Sequence, residues 1–401
     1  MTFFVTKPPR DSHTSVFGFP QNVFILSVVS FLNDIGGETI KKTIPLFLNN
    51  VLGVSPSVIG LVEGVADATP QLFQPVSGYL SDLFHKRKPL VIVGQALRSF
   101  MIFLFWAGSW PQILLLRFLD RSGKGISQAP RDALIAGSSD KQHVGRSFGL
   151  NRMFDNGGAV AGLLFASLIL LFSQHGSTFL TRTTFGYIVL LSVIPLFISL
   201  LLLSFFVHDV RAPVEKVRFV VHDSLGKKFY IFLALSFLFT LGNSSDAFLI
   251  LKAQRVGLQV WQIFLLLAGY SLVSSLSGLP LSSLSDRIGR KKLLVVGWML
   301  YAVVYLFIGL SQTVSSIILF TLLYGLYYGC TEGSAKALIS DIVSEKRKGT
   351  AYGIYNMMTG ITLFFASTAA GFLWQAFSPA IAFYFGSILA GVSAVGLLIL
   401  L

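Results

Sequence analysis

The sequence predicts an all-α polytopic membrane protein, with twelve transmembrane helices in two pseudo-symmetric six-helix bundles. Three observations predict it. The first is composition: of 401 residues, 53% are hydrophobic and 12% charged, with a mean hydropathy of +0.72. Soluble domains carry about a quarter charged residues, so this much apolar surface needs lipid as part of its solvent. The second is a series of long, continuous apolar runs, each near the ~20 residues that a spanning helix requires. A β-barrel is excluded because its strands would read as ~10-residue alternating segments. The third is a repeat. LSD at 80–82 recurs at 284–286, ALI at 133–135 recurs at 337–339, and Gly145 with Phe148 and Gly149 recurs as Gly349 with Tyr352 and Gly353. All three share one offset of 204 residues. Parallel repeats of this kind imply two bundles with a cavity between them at mid-membrane. The polar connector VHDVRAPVEKVRFVVHDSLGKK, 207–228, separates an N-terminal bundle (1–206) from a C-terminal bundle (229–401).

Taken in order, the first helix (21–48) carries Asp34, Glu38, Lys41 and Lys42. It follows Lys7, Arg10 and Asp11, is too long for a cleavable signal, and is expected to be retained. The second (57–80) carries Glu63 and Asp67, four apart and on one face, continued by Gln71 and Gln74. The third (89–108) carries Arg98. The fourth (111–136) holds RFLDRSGKGISQAPRDALIA, in which Arg117, Arg121, Lys124 and Arg131 fall at i, i+4, i+7 and i+14 with Gln128 at i+11, a polar stripe on one helix face. Asp120, one turn from Lys124, can pair with it along the helix, and Gly123, Gly125 and Pro130 are points of close approach or bending. The fifth (146–172) carries Arg152 and Asp155, and its Gly157, Gly158, Ala161 and Gly162 predict tight packing against helix 8. Helix 6 spans 186–206. In the second half, helix 7 (229–251) carries Asp246 at about the repeat position of Glu38, without a helical partner. Helices 8 (260–284), 11 (351–374) and 12 (379–401) are predominantly apolar. Tyr301 and Tyr305 lie on helix 9 (293–311); Tyr324, Tyr327, Tyr328, Glu332 and Lys336 lie on helix 10 (314–339), and these aromatics either line a site or pack.

A charge at the bilayer centre costs at least ~2.5 kcal/mol, so each should face a partner or water. The acids of helices 1, 2 and 5 lie at the depth of the bases of helices 3 and 4. The stripe is therefore expected to point into the N-terminal bundle and the cavity. Two readings stand side by side. Asp120, Arg121, Arg131, Asp132 and Arg152 suit an internal ion-pair lattice in the half of the bundle nearer the basic loops. Asp34, Glu38, Asp67, Arg117 and Lys124 suit proton and solute binding, in which one charge network shifts the other's protonation. Glu63, Arg98, Asp155, Asp246 and Glu332 complete the candidate cavity set.

The net charge of +13 is distributed unevenly. With a cytoplasmic N-terminus, nineteen basic residues of loops and tails fall on one side, Lys7, Arg10, Lys86, Arg87, Lys88, Lys141 and Arg211 among them. Arg182, Lys252 and Arg255, with Lys41 and Lys42 near a helix end, fall on the other. That asymmetry places both termini in the cytoplasm and the protein in the cytoplasmic (inner) membrane. Attraction to lipid headgroups accounts for the charge without nucleic acid.

GYLSDLFHKRKP (78–89) resembles the loop 2–3 signature of the major facilitator superfamily (MFS), and SSLSDRIGRKK (282–292) resembles its second-half copy, with Ser282 in the place of Gly78. RFLDRSG (117–123) is similar to the helix-4 signature R-F-x-Q-G-x-G, with Asp120 and Arg121 replacing Gln and Gly. The resemblance covers essentially the whole chain and implies the MFS fold, transport of a small solute by alternating access, and proton-coupled symport or antiport. It implies that Arg117 tunes a helix-1 carboxylate that binds protons. It also implies a cytoplasmic gate of Gly78, Asp82 and Arg87 with Asp286, Arg287 and Arg290. Physically, such a loop carboxylate can cap a helix N-terminus and pair with an arginine only when the bundles close on that side. The antiporter Gly-Pro pair of helix 5 is missing, since Leu163 stands at the proline position.

Other classes fit poorly. Cys330 is the only cysteine, which rules out an intrachain disulfide and a Cys-based metal site. The six histidines, His13, His85, His143, His175, His208 and His222, fall in loops or tails, so no enzyme constellation forms at membrane depth. GKGIS at 123–127 lacks the upstream glycine spacing of a phosphate loop. No cofactor is expected, and a monomer suffices. The basic stripe favours a solute with a negative group; an uncoupled uniporter and a non-transporting sensor are the alternatives.

Overall fold

The computed structural model describes residues 15–140, 142–174, 176–210, 225–344 and 347–401, without the side chains of Ser15, Leu279, Ser282, Ser283, Asp286 and Glu332. Candidates Asp286 and Glu332, most of the 207–228 connector, Lys7, Arg10, Asp11, Lys141, Arg211, Lys216, Arg218, Lys346, His13, His175 and His222 thus lie outside what is described.

Among the described residues, thirteen α-helices account for twelve spanning segments. In the first half they are α1 (Gln21–Asn50), α2 (Pro56–Phe84), α3 (Lys88–Ser99, extended by a 3₁₀ turn over Phe100–Phe105), α4 (Trp110–Ser138), α5 (Val144–Gln174) and α6 (Arg182–Phe206). In the second half they are α7 (Lys227–Gly242), α8 (Ala247–Arg255), α9 (Val260–Ile288), α10 (Arg290–Leu310), α11 (Val314–Ile342), α12 (Lys348–Ala376) and α13 (Pro379–Leu400). The bounds of α2 and α9, and of α4 and α11, differ by the same 204 residues at both ends. The motif repeat is therefore a repeat of whole helices.

Local chemistry sets the helix ends. Proline, which lacks the N–H that a first turn cannot use, opens α2, α3, α4 and α13. Before α4, Gln112 Oε1 accepts from the amides of Gly108 and Ser109 at 2.8 and 3.2 Å, closing two orphan donors. Gly289, at φ +95°, makes the tight turn from α9 to α10 that a side chain would strain.

Two departures from the sequence reading concern elements. A two-residue antiparallel ladder, β1 (Ser15–Val16) with β2 (Phe19–Pro20), precedes α1. The seventh span is not one helix: it breaks between Gly242 and Ala247. Asn243, Ser244 and Ser245 have side chains that compete for backbone hydrogen bonds, and the freed Ser245 amide donates to Ser367 Oγ at 3.1 Å.

Ten spans among the described residues are apolar enough to cross a membrane by length and composition; α2 and α4 are not among them, although each is 29 residues long. They are the helices that carry Glu63, Asp67 and the polar stripe. Their flanks are covered instead: α2 packs between α4 and α12, and α4 packs against α2 and α3. The outward faces of the bundle carry exposed Phe172, Phe205, Ile388 and Ile399, as a lipid-facing surface requires.

The small residues of α5 do not face helix 8 as expected. A Cβ on Gly158 would lie 2.4 Å from the Phe31 carbonyl oxygen, and one on Gly162 2.5 Å from that of Ile35. The Gly158 and Gly162 face docks on α1, while Val160, Leu164 and Ser167 meet α9.

Candidate functional site

The stripe of α4 does point into the N-terminal bundle, and each base finds a different neighbour. Arg117 Nη2 donates to Glu63 Oε2 of α2 at 2.6 Å, with side chains 0% and 2% exposed. Arg98 Nε, from α3, lies 3.3 Å from Asp120 Oδ1, and Arg121 Nε lies 3.4 Å from Asp120 Oδ2. Arg98 also reaches the Asn33 carbonyl of α1 at 3.4 Å, in space that a Cβ on Gly37 would occupy. Nearer the basic loops, Arg131 donates to Ser30 Oγ at 2.8 Å and lies 3.8 Å from Asp155; Asn151 donates to both Ser30 and Asp155.

Two expected pairings are corrected here. Arg117 is engaged by the α2 carboxylate Glu63 rather than by a carboxylate of the first helix. Asp120 pairs with Arg98 and Arg121 rather than with Lys124, because its side chain is turned toward α3. Sequence spacing fixes which residues share a face but not which neighbouring helix meets that face.

A second tier is only half-buried: Asp34 and Glu38 of α1, Asp67 of α2, Lys124 of α4 and Asp155 of α5. Lys124 is the foremost opposite charge acting on Asp34, and Asp155 and Glu38 are the like charges that act on it. Glu38 lies among Lys41, Lys42, Lys124 and Arg121, with Lys41 Nζ at 4.0 Å. Arg152 is exposed on α5.

Asp246 stands at the α7–α8 break, and its partner was not foreseen. Lys42 Nζ of α1 donates to Asp246 Oδ2 at 2.5 Å, with both side chains largely buried. The two positions are 204 residues apart, so they are repeat equivalents, and Lys42 rather than Glu38 is the counterpart of Asp246. Equivalent positions touch only near the pseudo-two-fold axis. Around this pair the second half gathers tyrosines: Tyr324 Oη lies 3.5 Å from Asp246 Oδ1, and Tyr301 stacks on Tyr305 at 4.1 Å. Tyr270, not singled out from sequence, stacks on Tyr324 at 5.4 Å. Sequence reasoning also missed an uncharged buried triad: Gln95 Nε2 donates to Asn33 Oδ1 at 2.5 Å and to Ser199 Oγ at 2.7 Å, tying α3 to α1 and α6. No charge marked it.

Hydrogen bonds that join described residues of the two halves all lie toward the α1–α2 loop. Besides Lys42 with Asp246, Ser57 donates to the Gly371 carbonyl at 3.3 Å and Ser167 to that of Trp261 at 2.8 Å. The Val260 amide donates to Ser177 O at 3.1 Å, and Gln254 to Thr178 O at 2.6 Å. Glycines report the same closure. A Cβ on Gly60 would lie 2.4 Å from Ser367 O, and one on Gly371 2.5 Å from Pro56 O, whereas one on Gly145, Gly149, Gly349 or Gly353 at the opposite ends would meet nothing within 4 Å among the described residues.

The gate candidates sit at that opposite, base-rich end. Arg87 Nη1 donates to the Ala133 carbonyl of α4 at 2.8 Å, and Arg290 Nη1 to the Ala337 carbonyl of α11 at 3.0 Å and to Asp341. Ala133 and Ala337 are again 204 apart. Asp82 and Arg287 are exposed, and a Cβ on Gly78 would meet Ala129 at 3.5 Å, an ordinary contact.

The family model described as Major Facilitator Superfamily matches residues 26–264 and 231–401. An uncharacterised MFS-type transporter of Methanocaldococcus jannaschii is 36% identical over 388 residues, 95% of this chain and 94% of that one. A multi-drug resistance efflux pump of Streptococcus pneumoniae is 26% identical over 337 residues, covering 80% and 82%. Among solved structures, a point mutant of the nucleoside transporter NupG superposes with a TM-score of 0.79 at 13% identity, covering 94% of this chain and 98% of that one.

Proposed function

The chain belongs to the Major Facilitator Superfamily, and on that premise we propose that it is a secondary transporter moving a small solute across the cytoplasmic membrane by alternating access. The observation that carries this reading is the one-sided closure: the halves grip each other by the α1–α2 loop and stand apart at the base-rich end. The positive-inside rule makes the base-rich end cytoplasmic, so the arrangement is open to the cytoplasm. Opening on the other side requires that grip to break and the ends of α2 and α9, which carry Asp82 and Asp286, to close. Rocking of one parallel repeat against the other provides such an exchange.

Within this reading the two tiers of charge divide the work. The buried pairs Arg117 with Glu63 and Arg98 with Asp120 hold α2, α3 and α4 in register. The half-buried Asp34, Glu38, Asp67 and Lys124 meet the solute and a coupling proton. Lys124 opposite Asp34 supports the coupling: protonating the carboxylate frees an ammonium for a negative group on the solute, which links the two bindings.

Metabolite profiling of medium and cytoplasm tests this in cells producing wild type, Asp34→Asn, or a Cys330→Ser protein with Ser177→Cys and Val260→Cys. The backbone hydrogen bond between residues 177 and 260 puts their Cα atoms within disulfide range. One solute should redistribute with wild type, and oxidation of the cysteine pair should stop it until reductant is added. Flux that persists with the crosslink complete rules out alternating access by this opening. Transport that Asp34→Asn leaves intact and pH-independent makes the protein an uncoupled uniporter.

A further inference from the structure

Lys252 and Arg255 stand on the base-poor face, against the general charge asymmetry of the chain. Both belong to the last turn of α8. Lys252 is 8% exposed, and its ammonium makes one hydrogen bond, to the Gly309 carbonyl at 3.2 Å, leaving two protons without a partner among the described residues. The charged group acting on it is Arg255, another cation. Among the described residues no carboxylate acts on it, and the connectors on this face, 51–55, 107–109, 175–181, 256–259, 311–313 and 377–378, contain neither Asp nor Glu. Asp246, at the far end of α8, is taken by Lys42.

These two cations line a cavity of about 380 Å³ together with Gln312, Ser378 and Tyr384. The 22-residue helix α13 begins at its rim, with Ser378 as N-cap, and turns the positive end of its dipole toward it. Lysine and arginine at a helix end can simply complement its C-terminal carbonyls. That reading covers the placement of both cations, but it leaves two Lys252 protons and the cavity unexplained, since the one bond goes to the Gly309 carbonyl of α10. A snorkelling lysine would also place its side chain end in open water, whereas Lys252 is 8% exposed and lines the cavity.

We propose that this cavity is an oxyanion site, taking a phosphate or carboxylate group at the membrane interface of the base-poor face. Arg255 supplies a planar fork of donors, Lys252 a buried point charge, and the start of α13 a fixed dipole. The site is separate from the charges of α1, α2 and α4 and does not depend on their role. Exposed Leu310 on α10 and Val256 on the lining give an acyl chain apolar contacts at the cavity, so the group can arrive on a phospholipid or free in solution.

The test uses the purified full-length protein in nanodiscs of phosphatidylcholine alone or with phosphatidylglycerol. Inorganic phosphate is titrated against chloride at fixed ionic strength, and melting temperature and retained lipid are read by calorimetry and mass spectrometry. The proposal expects wild type to retain phosphatidylglycerol selectively, or to be stabilised by phosphate in phosphatidylcholine discs. It expects at least a tenfold weaker effect in Lys252→Gln/Arg255→Gln. Retention of lipid alone assigns a headgroup; stabilisation by phosphate alone assigns a soluble anion. Arg255→Gln by itself, a change at an exposed side chain, guards against misfolding of the double variant and should weaken binding in the same direction. Lys228→Gln, at the base-rich end, should change nothing. The proposal fails if neither probe differs from its control, or if Lys228→Gln weakens binding as much as the pocket variants.

Discussion

The two halves share helix bounds but fill corresponding places with opposite chemistry. On α4, Asp120 and Lys124 are charged; 204 residues on, α11 has Tyr324 and Tyr328. The first half therefore builds its interior from ion pairs, Arg117 with Glu63 and Arg98 with Asp120, whereas the second builds it from rings, Tyr301 on Tyr305 and Phe239 on Trp298 at 4.7 Å. A buried ion pair is directional and depends on both members; a ring cluster depends on volume and shape. The half that carries the charges should thus be brittle toward single charge deletions, and the other toward loss of volume. They meet at Lys42 with Asp246, where a charge from each half pairs across the axis.

The contrast breaks most sharply at Arg117. Arg117→Ala strands Glu63 in a site of 2% exposure, and unpairing a buried charge costs about 3–5 kcal/mol. The melting temperature in detergent should fall accordingly. Arg117→Met with Glu63→Leu removes both charges at similar volume and should recover most of the loss, since apolar replacements of buried pairs are often neutral. A double variant as unstable as the single one would mean that the pair does more than satisfy itself.

The second effect lies at the junction. Lys42→Ala removes a charged hydrogen bond, worth about 1.5–3 kcal/mol, from the state closed by the α1–α2 loop. The rate at which Ser177→Cys and Val260→Cys crosslink should fall roughly tenfold, since 1.4 kcal/mol is a factor of ten. Exchanging the charges, Lys42→Asp with Asp246→Lys, should restore it, because the positions are repeat equivalents. An unchanged rate in Lys42→Ala would show that the other cross-half contacts hold this face alone.

Much of this was legible in the sequence. Long apolar runs leave little choice of fold, and the 204-residue offset located the repeat before any helix end was seen. Charges in a lipid setting are conspicuous, so the stripe, Glu63 and Asp246 stood out. Partner choice did not, because it depends on how each helix is rotated and which neighbour it faces. Arg117 met Glu63, Asp120 turned to Arg98, and the glycine face of α5 met α1. Lys42 and Asp246 were each noticed, and their separation by the repeat offset was there to be used. What hid the pair was a continuous seventh helix, which the Asn243–Ser245 break replaces. The Asn33, Gln95 and Ser199 triad left no mark because uncharged polar residues are common in spanning helices.

The smallest effect sharpens the comparison from the aromatic side. Tyr301 Oη donates to the Gly242 carbonyl at 3.0 Å, at the last residue of α7 before the break. Tyr301→Phe loses that bond but keeps the ring, and should cost about 0.5–1.5 kcal/mol. Tyr301→Ala opens a cavity among Tyr305, Tyr327 and Phe239 and should cost about 3–5 kcal/mol. Melting temperatures of the two variants, measured together, give the ratio. A ratio well above one puts the second half's stability in its packing, as the rings suggest. If Tyr301→Phe is as damaging as Tyr301→Ala, the hydroxyl is what holds the carbonyl freed at the α7 terminus, and the second half depends on a polar contact as the first does.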